Sequence, residues 1–185
     1  MLRGIDVSSY QSSSYATDGL SFVFVKATEG SSYVSPKLSA QTERAREAGL
    51  VVGFYHFLWP GDLTAQAEYF VSETPERQGD ILAVDWETTG EGTRASNTEK
   101  DEFIRKVKEL RPDHRVILYC NRDFWLNVDT TSYAGDGLWI ADYVSEGTPR
   151  IEAEWRFHQY TDDPLDTNVA DFPDRAALEK WAGGA

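Results

Sequence analysis

The 185-residue chain has a single cysteine, Cys120, so no disulfide can form within it. In the apolar run RVILYC it reads as a small buried residue rather than a nucleophile. Cations are scarce: 18 Lys and Arg stand against 31 Asp and Glu, a formal net charge of −13. That balance argues against a nucleic-acid partner and against an anionic membrane surface, both of which would be repelled. No stretch approaches the ~20 apolar residues of a membrane span. The N-terminus MLRGIDVSSY lacks the apolar segment of a secretory leader. No G-x-G-x-x-G or Walker loop occurs, which argues against nucleotide binding. There is no G-x-S-x-G anchor for a serine nucleophile. The three histidines, His56, His114 and His158, lie far apart without metal-ligand spacing, so no metal and no cofactor are expected. His114, beside a turn at Pro112 and Asp113, reads as a surface residue.

What remains is an ordinary globular balance, 41% hydrophobic and 26% charged, in a length that suits one domain over residues 1–185. Aromatics reach 13%, with six Trp, which suits a core and also a site that stacks on sugar rings. Short runs rich in β-branched and aromatic residues predict strands at 4–7, 21–27, 51–57, 80–87, 115–120, 137–143 and 154–161. Between them, a helix is expected from Ser35 and Pro36 to a C-cap at Gly49, another over 62–74, and a third over 97–111. The third has acidic residues in its first half and basic ones in its second, as the helix dipole favours. A last helix is expected at 174–182, and the terminal GGA reads as a tail or the start of a linker. Strands alternating with helices through the first two-thirds imply parallel βαβ units. The later strands follow one another with little helix between them, which suits a closed α/β barrel whose last helices are lost; an open doubly wound sheet is the alternative.

The stretch ILAVDWETTG (81–90) runs four apolar residues into Asp85, Trp86 and Glu87. Residues two apart on a strand share a face, so Asp85 and Glu87 point one way and Trp86 the other. In a parallel barrel the C-terminal strand ends carry the chemistry, and Asp6 ends the first strand in the same way. Clustered carboxylates cannot all ionise freely, and one is held protonated. Glycoside cleavage needs that combination: an acid for the leaving oxygen and a carboxylate beside the developing cation. A lone D-x-E is better read as a solvated strand end or a structural ion pair, with Lys26 as an available partner. Other strand ends add Glu29, Tyr55, His56, Tyr119, Asn121, Trp139, Asp142, Gln159 and Tyr160. Together they describe an acidic, aromatic-walled cleft suited to polysaccharide.

Eight motifs in order, GIDVSSYQ (4–11), FVKATEG (24–30), VGFYHF (52–57), AVDWE (83–87), ILYCN (117–121), LWIADY (138–143), FHQYT (157–161) and LDTN (165–168), cover most of the chain. With them the sequence resembles the glycoside hydrolase family 25 lysozymes, often called Chalaropsis-type muramidases. The resemblance implies an irregular TIM-like (β/α)5(β)3 barrel and hydrolysis of the β-1,4 bond between N-acetylmuramic acid and N-acetylglucosamine in bacterial peptidoglycan. It implies Glu87 as proton donor, Asp85 as its orienting partner, and Asp6 and Asp166 as the other acidic residues of the site. Tyr55, Tyr119, Trp139, Asp142 and Gln159 fall at positions that look like substrate-cleft residues. A monomer is expected, working as a phage endolysin that passes from the host cytoplasm to the wall, or as a secreted enzyme in mature form. Two other readings are weighed. A chitinase-type barrel would carry D-x-x-D-x-D-x-E, where Asp80, Asp85 and Glu87 fit but Ala83 does not. A non-catalytic wall-binding module would have no reason to keep four acidic positions.

Overall fold

Alternation along the strands decides which side chains fill the barrel and which face the helices. The structure, a computed structural model, describes residues 1–184. Its strands are β1 (Leu2–Val7), β2 (Phe22–Glu29), β3 (Tyr33–Val34), β4 (Val51–Phe57), β5 (Ile81–Asp85), β6 (Val116–Asn121), β7 (Leu138–Ala141), β8 (Phe157–Thr161) and β9 (Thr167–Ala170). Its helices are α1 (Leu38–Glu47), α2 (Leu63–Glu73), α3 (Asn97–Leu110) and α4 (Arg175–Gly183), with a π-helical turn at Phe124–Val128. The sheet runs β1-β9-β8-β7-β6-β5-β4-β2 and closes through a β1–β2 pairing. Neighbours are parallel except β9, which lies antiparallel to both β8 and β1, while β3 forms a short hairpin on β2.

This is the irregular α/β barrel expected from the sequence. Helices α1 to α3 follow β2–β3, β4 and β5; the β1–β2 connection carries none, and β7 and β8 are followed only by loops. No helix among the described residues is long and apolar enough to cross a membrane.

Phe22, Phe24, Tyr55, Ile81, Ala83, Ile117, Tyr119, Trp139 and Phe157 pack together inside the barrel. The intervening residues, among them Val23, Val25, Phe54, Val84, Trp86 and Leu118, pack with Phe70, Phe103, Ile104 and Val107 of α2 and α3. The interior is crowded enough to dictate glycine at two strand positions. A Cβ on Gly4 would meet the Phe22 ring, and one on Gly53 the Phe24 ring, which itself stacks on Trp139 with centroids 4.2 Å apart. Gly53→Ala is therefore expected to destabilise the barrel by about 1–3 kcal/mol or more, as overpacking does. Urea unfolding measures it, and an unchanged midpoint would contradict this packing.

Helix α3 begins at a capping box. Ser96 Oγ accepts from the Glu99 N–H at 3.1 Å, and Glu99 Oε1 accepts from the Ser96 N–H at 2.9 Å. The α1 C-cap is Ala48, one residue before the expected Gly49, which follows it with φ +68°. Other expectations need correcting. Helix α1 starts at Leu38, because Ser35 is tied back into the sheet by its N–H donating to Ala27 O at 2.8 Å. Strand β5 ends at Asp85, leaving Trp86 and Glu87 just beyond it. His114 is 3% exposed, not a surface residue. The chain enters β6 directly after the turn, and the imidazole is held between Asp80 O at 2.8 Å and Glu76 Oε1 at 2.6 Å. The expected tail reaches Gly183 as helix, and Ala185 lies outside the described residues.

Candidate active site

Parallel strands deliver their last inward residues to one rim. Asp6 stands one residue from the end of β1, and Asp85 ends β5. Asp166 immediately precedes antiparallel β9, and this reversal brings it level with Asp6, whose N–H donates to Asp166 O at 3.2 Å. Glu87 follows β5 and lines an open cavity of about 440 Å³ with Tyr119, Asp142, Tyr143 and two arginines, Arg122 and Arg150. The four acidic residues expected to act together thus share one rim.

Their environments differ. Asp6 is buried, and its Oδ2 accepts from Gln159 Nε2 at 2.8 Å and Asn168 Nδ2 at 2.9 Å. Burial, and then the charge of Asp166, push its carboxyl well above the usual range despite those two donors. Asp166 is raised too, chiefly by burial, and its hydrogen bond with Asp6 opposes the rise. Both carboxyls of this pair are therefore pushed the same way, with Asp6 the more deeply buried of the two. Asp85 is raised by burial first, then by the charge of Glu87 and a hydrogen bond to it. Its Oδ1 is buried without a hydrogen-bond partner among the described residues. Lys26, the ion-pair partner available to the D-x-E on the structural reading, instead bonds Glu29 Oε1 at 2.7 Å, although its charge still works against the rise at Asp85.

These shifts bear on stability. A carboxyl whose folded pKa is raised keeps its proton in the native state after the unfolded chain has lost it near pH 3.8. Native protein then binds more protons than unfolded, so stability falls as pH rises from about 4 toward the folded value. Asp85→Asn is expected to raise the melting temperature at pH 7 and flatten its decline with pH. A lower melting temperature at pH 7 would contradict the burial cost assigned to Asp85.

The residues expected along the cleft divide into two groups. Tyr119 and Asp142 do line the cavity with Glu87. Tyr55, Trp139 and Gln159 are buried beneath it. Trp139 is 2% exposed, its Nε1 donating to Asn168 Oδ1 at 2.7 Å, so it forms the floor under the Tyr55 and Tyr119 rings rather than a wall. Gln159 supports the acid: one end donates to Asp6, while Oε1 accepts from Tyr119 at 2.8 Å and Tyr143 at 3.1 Å. Asp142 is committed to a forked pair with Arg150, Oδ1 to Nη2 at 2.8 Å and Oδ2 to Nε at 3.1 Å. His56 leaves the site altogether. It packs against Phe103 between Thr28 and Gln66, and burial pushes its pKa down to about 4. Asn168 and Tyr143 were not singled out from the sequence, although both lie within motifs that were. No cluster of three or more His, Cys, Asp or Glu able to hold a metal occurs among the described residues.

The family profile described as "Glycosyl hydrolases family 25" matches residues 5–169, which contain all four carboxylates. The chain belongs to glycosyl hydrolase family 25. Among its family 25 relatives, the N,O-diacetylmuramidase of a Chalaropsis species is 31% identical over 179 residues, covering 84% of each chain. Lysozyme M1 of Streptomyces globisporus is 32% identical over 183 residues, 86% of this chain but 62% of that protein. The chain thus spans about six-tenths of the length of that relative. In structure, the barrel superposes on a muramidase from Acremonium alcalophilum with a TM-score of 0.86 at 27% identity, covering both chains fully. A lysozyme from Streptomyces coelicolor gives 0.83 at 29% identity over 98% of this chain and 97% of that one.

Proposed function

We propose that this family 25 hydrolase cleaves the β-1,4 bond between N-acetylmuramic acid and N-acetylglucosamine in bacterial peptidoglycan, with Glu87 as general acid and then base. The observation that carries the reading is the convergence of Asp6, Asp85, Glu87 and Asp166 on one rim, with Glu87 the member that lines the cavity. The muramidase and lysozyme names of its relatives support the choice of substrate.

Glu87 delivers a proton to the glycosidic oxygen as the C–O bond breaks. The 2-acetamido group of the sugar supplies its carbonyl oxygen to the anomeric carbon, and Asp85 accepts the acetamido N–H. Asp85 ends β5 beside Glu87 at the rim, which supports this role. Water then attacks the anomeric carbon, gives its proton to Glu87 and releases the acetamido group. Asp6 and Asp166 flank the cation that develops, their one proton keeping the pair from carrying two full charges.

The barrel acts as one catalytic unit, as a monomer and without a cofactor, on walls reached either as a phage endolysin or as a secreted enzyme. Mass analysis of digested peptidoglycan tests the reading. Fragments with reducing-end muramic acid are expected; reducing-end glucosamine, or no glycan cut, would end it.

A further inference from the structure

Four carboxylates make a poor host for an anion, yet muramic acid differs from glucosamine by a lactyl group that carries a peptide with carboxylates of its own. This inference rests on the wall-glycan reading above. We propose that Arg122 and Arg150 form a subsite that recognises the carboxylates of this lactyl-peptide substituent beside the scissile bond.

Both arginines line the same cavity as Glu87. In a chain of net charge −13 they stand out from their surroundings. The other cation near the acids, Lys26, is engaged with Glu29 at 2.7 Å. Arg150 is fixed in place: its backbone N–H and Nε donate to Asp142 Oδ2 at 2.9 and 3.1 Å, and Nη2 donates to Oδ1 at 2.8 Å. Its charge is thereby largely answered, and its role is to shape the wall. Arg122 is different. Its Nε donates to the Arg150 carbonyl at 2.8 Å, which orients the guanidinium, and it has no carboxylate partner among the described residues. Half-buried and oriented, close enough to Asp142 for its charge to be felt there but in no ion pair, it presents a planar fork of the geometry that carboxylates match.

A path leads on from this pair. A groove of about 1560 Å³ begins at Arg122 and Arg150 and runs between the β6–β7 and β7–β8 connections, past Trp125, Tyr133 and Trp155. It lies where the barrel carries loops in place of an outer helix after β7. Glu152, Glu154 and Arg156 also line it. A stem peptide leaving the muramic acid has room to follow this groove.

The test uses soluble glycan strands with their stem peptides, native or with carboxylates converted to amides, and measures kcat/KM for each. Wild type is expected to favour the charged strands about tenfold or more, with Arg122→Gln cutting that ratio at least about fivefold, mainly through KM, and Arg122→Lys falling between. In wild type, raising salt from about 0.05 to 0.5 M is expected to lower the ratio, which needs no variant. A ratio near one in wild type, or an equal ratio in wild type and Arg122→Gln, would overturn the subsite. Walls with and without their phosphate polymers form the second arm, and a loss in Arg122→Gln that follows phosphate rather than carboxylate also overturns it. Failure of wild type to cut either strand would remove the wall-glycan reading itself and the subsite with it.

Discussion

Glu87→Gln is expected to lower the turnover of peptidoglycan about 10²- to 10⁴-fold, the usual contribution of a positioned acid–base group. The side chain lies beyond the last residue of β5, on the wall of an open cavity, so the amide should be accommodated without loss of fold. The melting temperature and the release of reducing ends, read together at saturating substrate, separate lost chemistry from lost structure. Retention of more than about a tenth of wild-type turnover, roughly 1.4 kcal/mol in barrier, would remove Glu87 from the acid role. Asp85 gives the experiment a second axis. Because Glu87 is among the groups that raise the Asp85 carboxyl, the two act on each other, and Asp85→Asn in the Glu87→Gln background should cost little beyond the single change. Groups that act as a unit are strongly non-additive. Full additivity would assign the two carboxylates to separate steps.

The sequence made the parallel part of this barrel legible because its signals are local. Strand β4 was expected at 51–57 and runs Val51–Phe57; α3 was expected at 97–111 and runs Asn97–Leu110. Period-two alternation also put Trp86 on the face opposite Asp85, where it packs under α3 and donates from Nε1 to Ala95 O at 2.9 Å. Long-range pairing was not legible. Strand β9 is four residues with no alternation of its own, and its antiparallel place between β8 and β1 depends on partners at opposite ends of the chain. The support of Asp6 comes from Gln159 and Asn168, 153 and 162 residues away. Motif order brought Gln159 to attention as a sugar contact, but only closure of the barrel turns it toward an aspartate. Trp139 was misplaced for a related reason: an aromatic near a strand end reads as a cleft wall until the register puts it against Phe24. His114 failed through its neighbours, since Pro112 and Asp113 mark a turn without revealing that the next residue is caught between Asp80 and Glu76.

Lys100→Ala is expected to destabilise the protein by about 3–5 kcal/mol, the cost of removing one partner from a buried ion cluster. The Lys100 side chain is fully buried, and its ammonium reaches Asp101 Oδ1 at 2.6 Å, Asp129 Oδ1 at 2.8 Å and Tyr133 O at 2.9 Å. It also lies 5.2 Å from the centre of the Trp86 ring. One cation therefore ties the loop after the π-helical turn to α3, directly behind the residue that separates Asp85 from Glu87. Alanine leaves two buried carboxylates without a cation, Asp101 holding only the Thr131 hydroxyl at 3.0 Å and Asp129 only the Ser132 N–H at 2.8 Å. Against a total stability of about 5–15 kcal/mol for a folded domain, that loss is large. Urea unfolding at pH 7 measures it. Lys100→Met combined with Asp101→Asn and Asp129→Asn distinguishes charge from packing. If uncompensated charge is the cause, the triple variant should recover much of the stability that the single one loses, because a buried ion pair replaced as a whole is often near neutral. A triple variant as unstable as Lys100→Ala would locate the effect in the packing of the lysine stem instead.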